Sequence, residues 1–469
     1  MKIEPSFFST KLNFIFHFFR FNSPVAGSVW FTALSKGDSV ETKILTNLIN
    51  VAAAKSTANA WQIFITDILD TDSDIQRGSC DFLQLLYDPL NKDGKDCSEE
   101  NRASCREGDL TGKFGKVKVG KEESMFTKIY VTDVDLELPE LDGHRSLYLV
   151  LFDEEHPESF LACAKIRQVK RKVARASFSH EGVKGAITFT QPSPFQPVET
   201  DVLLTGLGEG AGSFHVHEFP VPARLDVSDS PCGRTGNHFN PTGIDPSASP
   251  KSGEGSFDKY ALGDLSGKYG DLSHRDHLQE NVVDPTLTLF GPSSIIGRSI
   301  VIHKSPVPKR WFCANIDLHD QQLVTAVATF TYPIAGRVIF RQAEDEPFAD
   351  TTVFVESLLY SDGSKNDSRD HRWHVHVQVP GKDFFNWTGR CLSAGGHYNP
   401  HKVNLESYTE CSSEKRHVRC EVGDLVNKLG LINVAGRKRD SKESIKFFTD
   451  SNLPLSGPHS IIGRSSKQF

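Results

Sequence analysis

The chain is written in short stretches where apolar and polar residues alternate, broken by Gly, Pro, Asn and Asp. Residues 186–191, 202–207, 212–219 and 286–290 each follow the two-residue period of a strand, bounded by turn-forming residues. This pattern predicts an all-β fold, an antiparallel sandwich or Greek-key barrel. Within 212–219, side chains two residues apart share a face, so His215 and His217 point the same way. Two imidazoles on one strand face are half of a metal site, and they are equally an ordinary polar face. The pair alone does not decide between these readings.

Three motifs further along the chain give the pair weight. Gly236-Asn237-His238-Phe239-Asn240-Pro241 comes next, then Gly263-Asp264-Leu265, then Ser294-Ile295-Ile296-Gly297-Arg298-Ser299 running on to His303. In this order and at these separations the motifs resemble the copper/zinc superoxide dismutase family. The resemblance implies a Greek-key β-sandwich or barrel, superoxide as substrate and a copper held by His215, His217, His238 and His303.

The same unit is repeated. Arg372-Trp373-His374-Val375-His376 repeats the His-x-His strand, and Gly396-His397-Tyr398-Asn399-Pro400 repeats the second motif at the same separation. Val422-Gly423-Asp424-Leu425 and Ser460-Ile461-Ile462-Gly463-Arg464-Ser465 complete that copy. An eroded copy precedes both: residues 60–65 stand for the His-x-His strand, Tyr87-Asp88-Pro89 for the second motif, Glu107-Gly108-Asp109-Leu110 for the third and His144-Arg145-Ser146-Leu147 for the fourth. Pro24-Val25-Ala26-Gly27, Val183-Lys184-Gly185 and Pro333-Ile334-Ala335-Gly336 open the three copies with an alternating strand. Units of about 150 residues are of ordinary domain size. The expected division is an amino-terminal segment 1–20, a degenerate repeat 21–168, a repeat with a complete copper set 169–318 and a carboxy-terminally shortened repeat 319–469. The basic run from Arg167 to Lys172 is read as a linker or as a solvated strand end.

A net charge of −7 gives no basic excess, which argues against nucleic acid as a partner. No apolar run approaches the roughly 20 residues of a membrane-spanning helix. Residues 12–19 are apolar, but Glu4 precedes them, His17 interrupts them and no small-residue cleavage site comes after them. They read as a poor secretion signal or as the start of an internal piece of a longer protein, the second being favoured because the last copy is also cut short.

Nine cysteines favour an oxidising compartment, hence an extracellular or cell-surface location. The family's disulfide implies Cys232 with Cys313, and repetition then pairs Cys80 with Cys163. Cys97 with Cys105 and Cys411 with Cys420 are expected as local staples in repeats one and three. Cys391 is left over, its expected partner lying past residue 469. The triplets at Asn366 and Asn386 are glycosylation sequons and fit secretion.

The family's zinc ligands are missing from the middle repeat. Residues 242–251 contain no histidine, and Ala261 stands where a zinc histidine is expected. This resembles the copper-only branch and its animal tandem-repeat proteins, so copper and no zinc is expected. Tyr260-Ala261-Leu262-Gly263-Asp264 departs from that branch's motif at Ala261, where the branch carries Glu; repeat three has it as Glu421. Glu421, Asp424 and Asp264 are candidates to orient the ligand histidines, Asp264 being assigned to His238, and a turn aspartate capping backbone amides is its other reading. Arg310, three residues before Cys313, occupies the family's active-site arginine position; its other reading is a surface arginine packed on Trp311. Arg310 and His238 are the expected catalytic residues. Repeat three offers His374, His376 and His397 as a weaker metal set, with Phe469 in the fourth position and His401 nearby. Repeat one has Gln62 and Phe64 in the His-x-His positions and Phe160 in the arginine position, so it is expected to be structural or to bind a protein partner. Two functions stay open: a copper-only superoxide dismutase acting through the middle repeat, and a non-catalytic copper-binding or structural protein on the same fold.

Overall fold

In a computed structural model the described residues are 14–21, 24–36, 39–51, 56–67, 80–120, 128–139, 145–180, 182–222, 232–344, 346–386, 388–403, 411, 417–436 and 444–468. The chain divides into two compact units, Met1–Val169 with Pro400–Glu410, and Lys170–Asn399 with Cys411–Phe469.

In the first unit a five-stranded antiparallel sheet is centred on the hairpin Val25–Lys36 and Ser39–Asn50. Its flanks are Phe14–Phe21 and Arg167–Gln168 on one side and Lys128–Asp133 on the other. Within the apolar stretch 12–19, residues 14–19 belong to the strand Phe14–Phe21, which pairs with Val25–Lys36, and residues 12 and 13 lie outside the described residues. The second sheet runs Phe160–Lys165, Ser146–Phe152, Trp61–Thr66, Leu85–Leu86. The two sheets enclose a core that includes Val29, Phe31, Ile44, Trp61, Ile63, Leu147, Leu149 and Leu151.

The second unit holds two further cores. Around the first, the strands Lys172–His180, Val183–Gln191, Val198–Thr205 and His277–Asp284 form one antiparallel sheet. Ala211–His217, Ser299–Lys304 and Arg310–Asn315 form the other. Strand order leaves the first sheet after Val198–Thr205 and returns to it at His277–Asp284, the crossover of a Greek key. Along Val198–Thr205 buried and exposed residues alternate strictly, as one apolar face on a sheet requires. Ala211–His217 is buried on both faces except at Ser213, because Phe214 and Val216 enter the core while the histidines face a polar pocket. Around the second core, Leu323–Phe330, Ile334–Ala343, Thr351–Tyr360 and Lys446–Asp450 form a sheet, and Trp373–His376 pairs with Ser465–Gln468.

Residues 286–290 are not a strand. Their alternation is real, with Leu287 and Leu289 buried. Their backbone N–H groups are taken by side chains instead: Asp284 Oδ1 accepts from Thr286 and Leu287, and Gln191 Oε1 accepts from Leu289. A segment whose amides are satisfied in this way needs no neighbouring strand.

One device recurs in all three cores. Val216 N–H donates to Gly263 O, Gly263 N–H to Phe239 O and Phe239 N–H to Val216 O, at 2.8, 2.9 and 2.8 Å. Ile63, Gly108 and Tyr87 close the same three-bond ring, and so do Val375, Gly423 and Tyr398. The glycine is required by this approach: a Cβ at Gly263 would lie 2.7 Å from Phe239 O and 2.8 Å from Val216 O. Just beyond each glycine, Asp109, Asp264 or Asp424 caps a five-residue helix. The helix carries a buried lysine paired with a buried aspartate: Lys113 with Asp133, Lys268 with Asp284 and Lys428 with Asp450, at 2.8, 2.6 and 2.6 Å. Each lysine also donates to a backbone carbonyl next to the ring, of Glu107, Leu262 or Val422.

Removing one partner of such a pair leaves a lone buried charge. Lys268→Ala is expected to destabilise its domain by about 3–5 kcal/mol, read as a lowered urea midpoint. Lys259→Ala, three residues after a cap on an exposed turn, serves as the control and should change the midpoint little.

Candidate metal centre

The ring fixes the three segments that carry the candidate ligands. His215 and His217 flank Val216, His238 precedes Phe239 and Asp264 comes directly after Gly263. The fourth histidine comes from the neighbouring strand, where the pairing shifts between Ile302 and His303 so that His303 lies opposite Arg310. A bulge of this kind re-aims a side chain. His215, His217, His238 and His303 each bring a ring nitrogen within 4.8 Å of the others. His215 stacks on His238 with centroids 3.9 Å apart, and His217 stacks on His303 at 5.4 Å.

The hydrogen bonds leave lone pairs pointing inward. His217 Nδ1 lies 3.1 Å from Gly236 O, a carbonyl that can only accept, so Nδ1 carries the proton and Nε2 a lone pair. His303 Nδ1 faces Pro308 O at 3.4 Å in the same manner. The two Nε2 atoms then face each other at 3.3 Å. His215 Nε2 is 3.4 Å from Asp264 Oδ1, while its buried Nδ1 has no hydrogen-bond partner. Opposed lone pairs and an unmatched buried nitrogen are costly without a cation and suit one well. Burial is the main cause that keeps the His217, His238 and His303 imidazoles neutral. It pushes His217 down to about 2, aided by repulsion from His238, and His238 and His303 down to about 4, aided by repulsion from His215.

Asp264 thus supports His215 and not His238, contrary to the sequence expectation. It also accepts from Gly267 N–H at 2.7 Å, so the capping reading holds alongside. The reason is the ring, which sets Asp264 beside the His-x-His strand. His238, the exposed member of the set, has no carboxylate at Ala261. In the last segment Glu421 fills that place and accepts from His397 Nδ1 at 2.9 Å.

Arg310 is anchored on the segment after Cys232. Its Nη1 donates to Cys232 O and Gly233 O at 2.8 and 3.1 Å and its Nη2 to Gly236 O. Gly236 O and Thr235 Oγ1 therefore touch both Arg310 and His217. Gly236 opens the His238 motif, whereas Thr235 carries no motif of its own in the sequence; its place between Cys232 and Gly236 is the available signal. The disulfide Cys232–Cys313 ties this segment to the arginine's own strand. Cys80–Cys163, Cys97–Cys105 and Cys411–Cys420 are also formed, as expected, and Cys391 is in none of the four.

His374, His376 and His397 form a second group with ligand atoms within 4.8 Å. His374 stacks on His397 at 3.9 Å, and Asp424 lies 3.8 Å from His374 Nε2. Burial and His397 push His374 down to about 4. His376 pairs with Ser465, as His217 pairs with Ser299, which puts the counterpart of His303 at Phe469, outside the described residues.

In the first unit the same place is filled with apolar side chains. Gln62 pairs with Val150 and Phe64 with Tyr148, as His215 pairs with Val301 and His217 with Ser299, so Phe152 stands where His303 does. Phe64 and Phe160 are 5.9 Å apart and Phe152 and Phe160 5.3 Å, packed with Leu83, Leu86 and the Cys80–Cys163 bridge. Gln62 Nε2 donates to Asp109 Oδ1 at 3.4 Å, a remnant of the His215–Asp264 contact.

Among the described residues no helix is long and apolar enough to cross a membrane. Asn366 and Asn386 both lie on exposed backbone outside strands.

Residues 183–308 match the family model for copper/zinc superoxide dismutase. A putative Cu-Zn superoxide dismutase of Autographa californica nuclear polyhedrosis virus is 36% identical over 121 residues, which is 26% of this chain and 72% of that protein. Superoxide dismutase [Cu-Zn] 5 of Dictyostelium discoideum is 36% identical over 123 residues, again 26% of this chain and 72% of that one. A solved structure of a mutant Candida albicans superoxide dismutase 5 is 31% identical, covering 33% of this chain and 94% of that one, with a TM-score of 0.27. With four histidines of the middle segment converged on one point and relatives matched over most of their length, the chain belongs to the copper/zinc superoxide dismutase family.

Proposed function

We propose that this protein is an extracellular copper-dependent superoxide dismutase whose working site is in residues 169–318, one of three copies of a single domain spanning 21–168, 169–318 and 319–469. The observation that carries it is the inward-facing set of His217 Nε2, His303 Nε2 and His215 Nδ1 beside an anchored Arg310. His215, His217, His238 and His303 would hold the copper, which supplies one-electron chemistry in two oxidation states. Two superoxide ions and two protons give one oxygen and one hydrogen peroxide. Arg310 attracts the anion and orients it, its carbonyl contacts holding the charge in place. His238, exposed to solvent, is the group placed to pass protons.

The zinc-free reading is supported by Ala261 and by Asp264, which turns to His215 and to its own helix. Phe64, Phe152 and Phe160 support a structural or partner-binding role for residues 21–168. The three-histidine group of the last segment is proposed as a weaker copper site. A second reading, a non-catalytic copper-binding protein, is favoured by one observation: His238 lacks the carboxylate that orients His397. The four disulfides and the two sequons support an extracellular or cell-surface place.

After loading with copper and zinc together and mild chelation, elemental analysis should find roughly one copper and no stoichiometric zinc per chain, since one site offers four imidazoles. Retained zinc at one equivalent overturns the copper-only reading. His215→Ala should abolish dismutation. Arg310→Ala should keep its copper while the rate falls roughly 10-fold or more and its salt dependence weakens, because screening acts on the lost charge. His374→Ala should change the rate little; a loss greater than that of His215→Ala would move catalysis to the last segment. Ala261→Glu should raise copper affinity at the middle site by roughly 10–100-fold in a competition titration, by supplying the partner that His238 lacks.

A further inference from the structure

The turn Ser294–Arg298 belongs to no catalytic group, yet it touches both ligand segments. Arg298 is 5% exposed. Its Nε donates to Ser294 O at 3.1 Å and its Nη1 to Glu218 O at 2.8 Å. Its guanidinium carbon lies 3.6 Å from the centroid of Phe239. Glu218 is the residue after His217 and Phe239 the residue after His238, and Glu218 Oε2 also accepts from Asn237 N–H at 2.8 Å. One guanidinium therefore grips the two residues next to a ligand pair.

A second ring reaches the same guanidinium from residues 319–469. The centroid of Phe447 is 4.9 Å from it. Phe447 is 9% exposed although its strand turns Phe448, not Phe447, toward the core of that segment. It is paired with Phe354, and the matching cross-strand pair in residues 169–318 is Asn281 with Asp201, both exposed and hydrogen-bonded to each other. The fold does not need an aromatic there. Gly297 admits the ring: a Cβ on it would lie 2.8 Å from Phe447 Cζ, whereas one on Gly463 would meet nothing within 4 Å. The equivalent Arg464 grips Tyr398 and Val377 O, and among the described residues no outer ring joins it. Nearby ties join the same two segments: Asp350 Oδ2 accepts from Lys172 Nζ and from Gly291 N–H, both at 2.9 Å.

We propose that Phe447 is a positioning residue for the copper site of residues 169–318, acting through Arg298: its ring seals the guanidinium from water and so locks the spacing of His217 and His238. The last segment then serves the middle site as a support, apart from any copper it holds itself. This rests on the copper reading above. A charge so nearly excluded from water is stabilised by an aromatic face, and a desolvated cation–π contact is far stronger than an exposed one.

The test uses the intact chain with His374→Ala and His397→Ala as a common background, so that one site reports. Copper affinity is measured by competition with a chromophoric chelator, the Cu(II) site by electron paramagnetic resonance, and folding by the melting temperature of the metal-free protein. Phe447→Asn, which installs the residue of the middle segment, should lower copper affinity roughly 10-fold or more and change the resonance parameters. Phe447→Tyr should return both to within roughly 3-fold of the background. Arg298→Lys keeps the charge without the planar fork, leaves the last segment untouched and should lower affinity as Phe447→Asn does. If Phe447→Asn does not fold, Arg298→Lys decides. Unchanged affinity and resonance in a folded variant overturn the clamp; no copper bound by the background protein instead overturns the copper reading itself.

Discussion

Three backbone hydrogen bonds, from Val216 to Gly263, Gly263 to Phe239 and Phe239 to Val216, hold together the parts on which this site depends. They join a strand, a loop and a helix start that are distant along the chain, and each participant stands next to a chemically important side chain. Hydrogen bonds buried in this way are worth little net when made and cost much when broken. The ring therefore acts as a constraint more than as a source of stability. The buried Lys268–Asp284 pair reinforces it by fixing the helix that begins after Gly263.

The first unit separates this constraint from the chemistry. Its ring of Ile63, Gly108 and Tyr87 and its Lys113–Asp133 pair are intact, while Gln62, Phe64, Leu86 and Phe152 occupy the ligand positions. The frame persists without ligands because its bonds are made by backbone and by residues that never touch the metal position. The aromatic filling has its cause in packing: a pocket emptied of four imidazoles needs other side chains to hold interior density. The last segment is intermediate. It keeps three histidines and the glutamate that orients His397, whereas the middle segment has four histidines and lacks that glutamate. Ligand number and ligand support are thus distributed differently over one frame.

Much of the site was legible in the sequence because its parts are local. His215 and His217 share a face by strand period, and the cysteine pairs come from repetition together with the family's own bridge. The partner of Asp264 was not legible, since both His215 and His238 lie one residue from a ring member and only the geometry chooses between them. The state of residues 286–290 was hidden for a similar reason: Leu287 and Leu289 alternate like a strand, but Asp284 and Gln191 had already taken the amides. Phe152 went unnoticed because its equivalence with His303 exists only through strand register.

By itself the sequence determined the family, the four candidate histidines and every strand named from it except 286–290, because each is carried by spacing within a segment or by repetition between segments; the cysteine pairing came from the family's own bridge extended by repetition. Tertiary structure alone decided what stands across from each segment. It set His303 opposite Arg310 through a bulge, gave Asp264 to His215, and brought Phe447 onto Arg298 from another domain-sized segment. The physical reason is that a two-residue period states which face of a strand is buried, while the neighbour that buries it is chosen by packing over the whole unit.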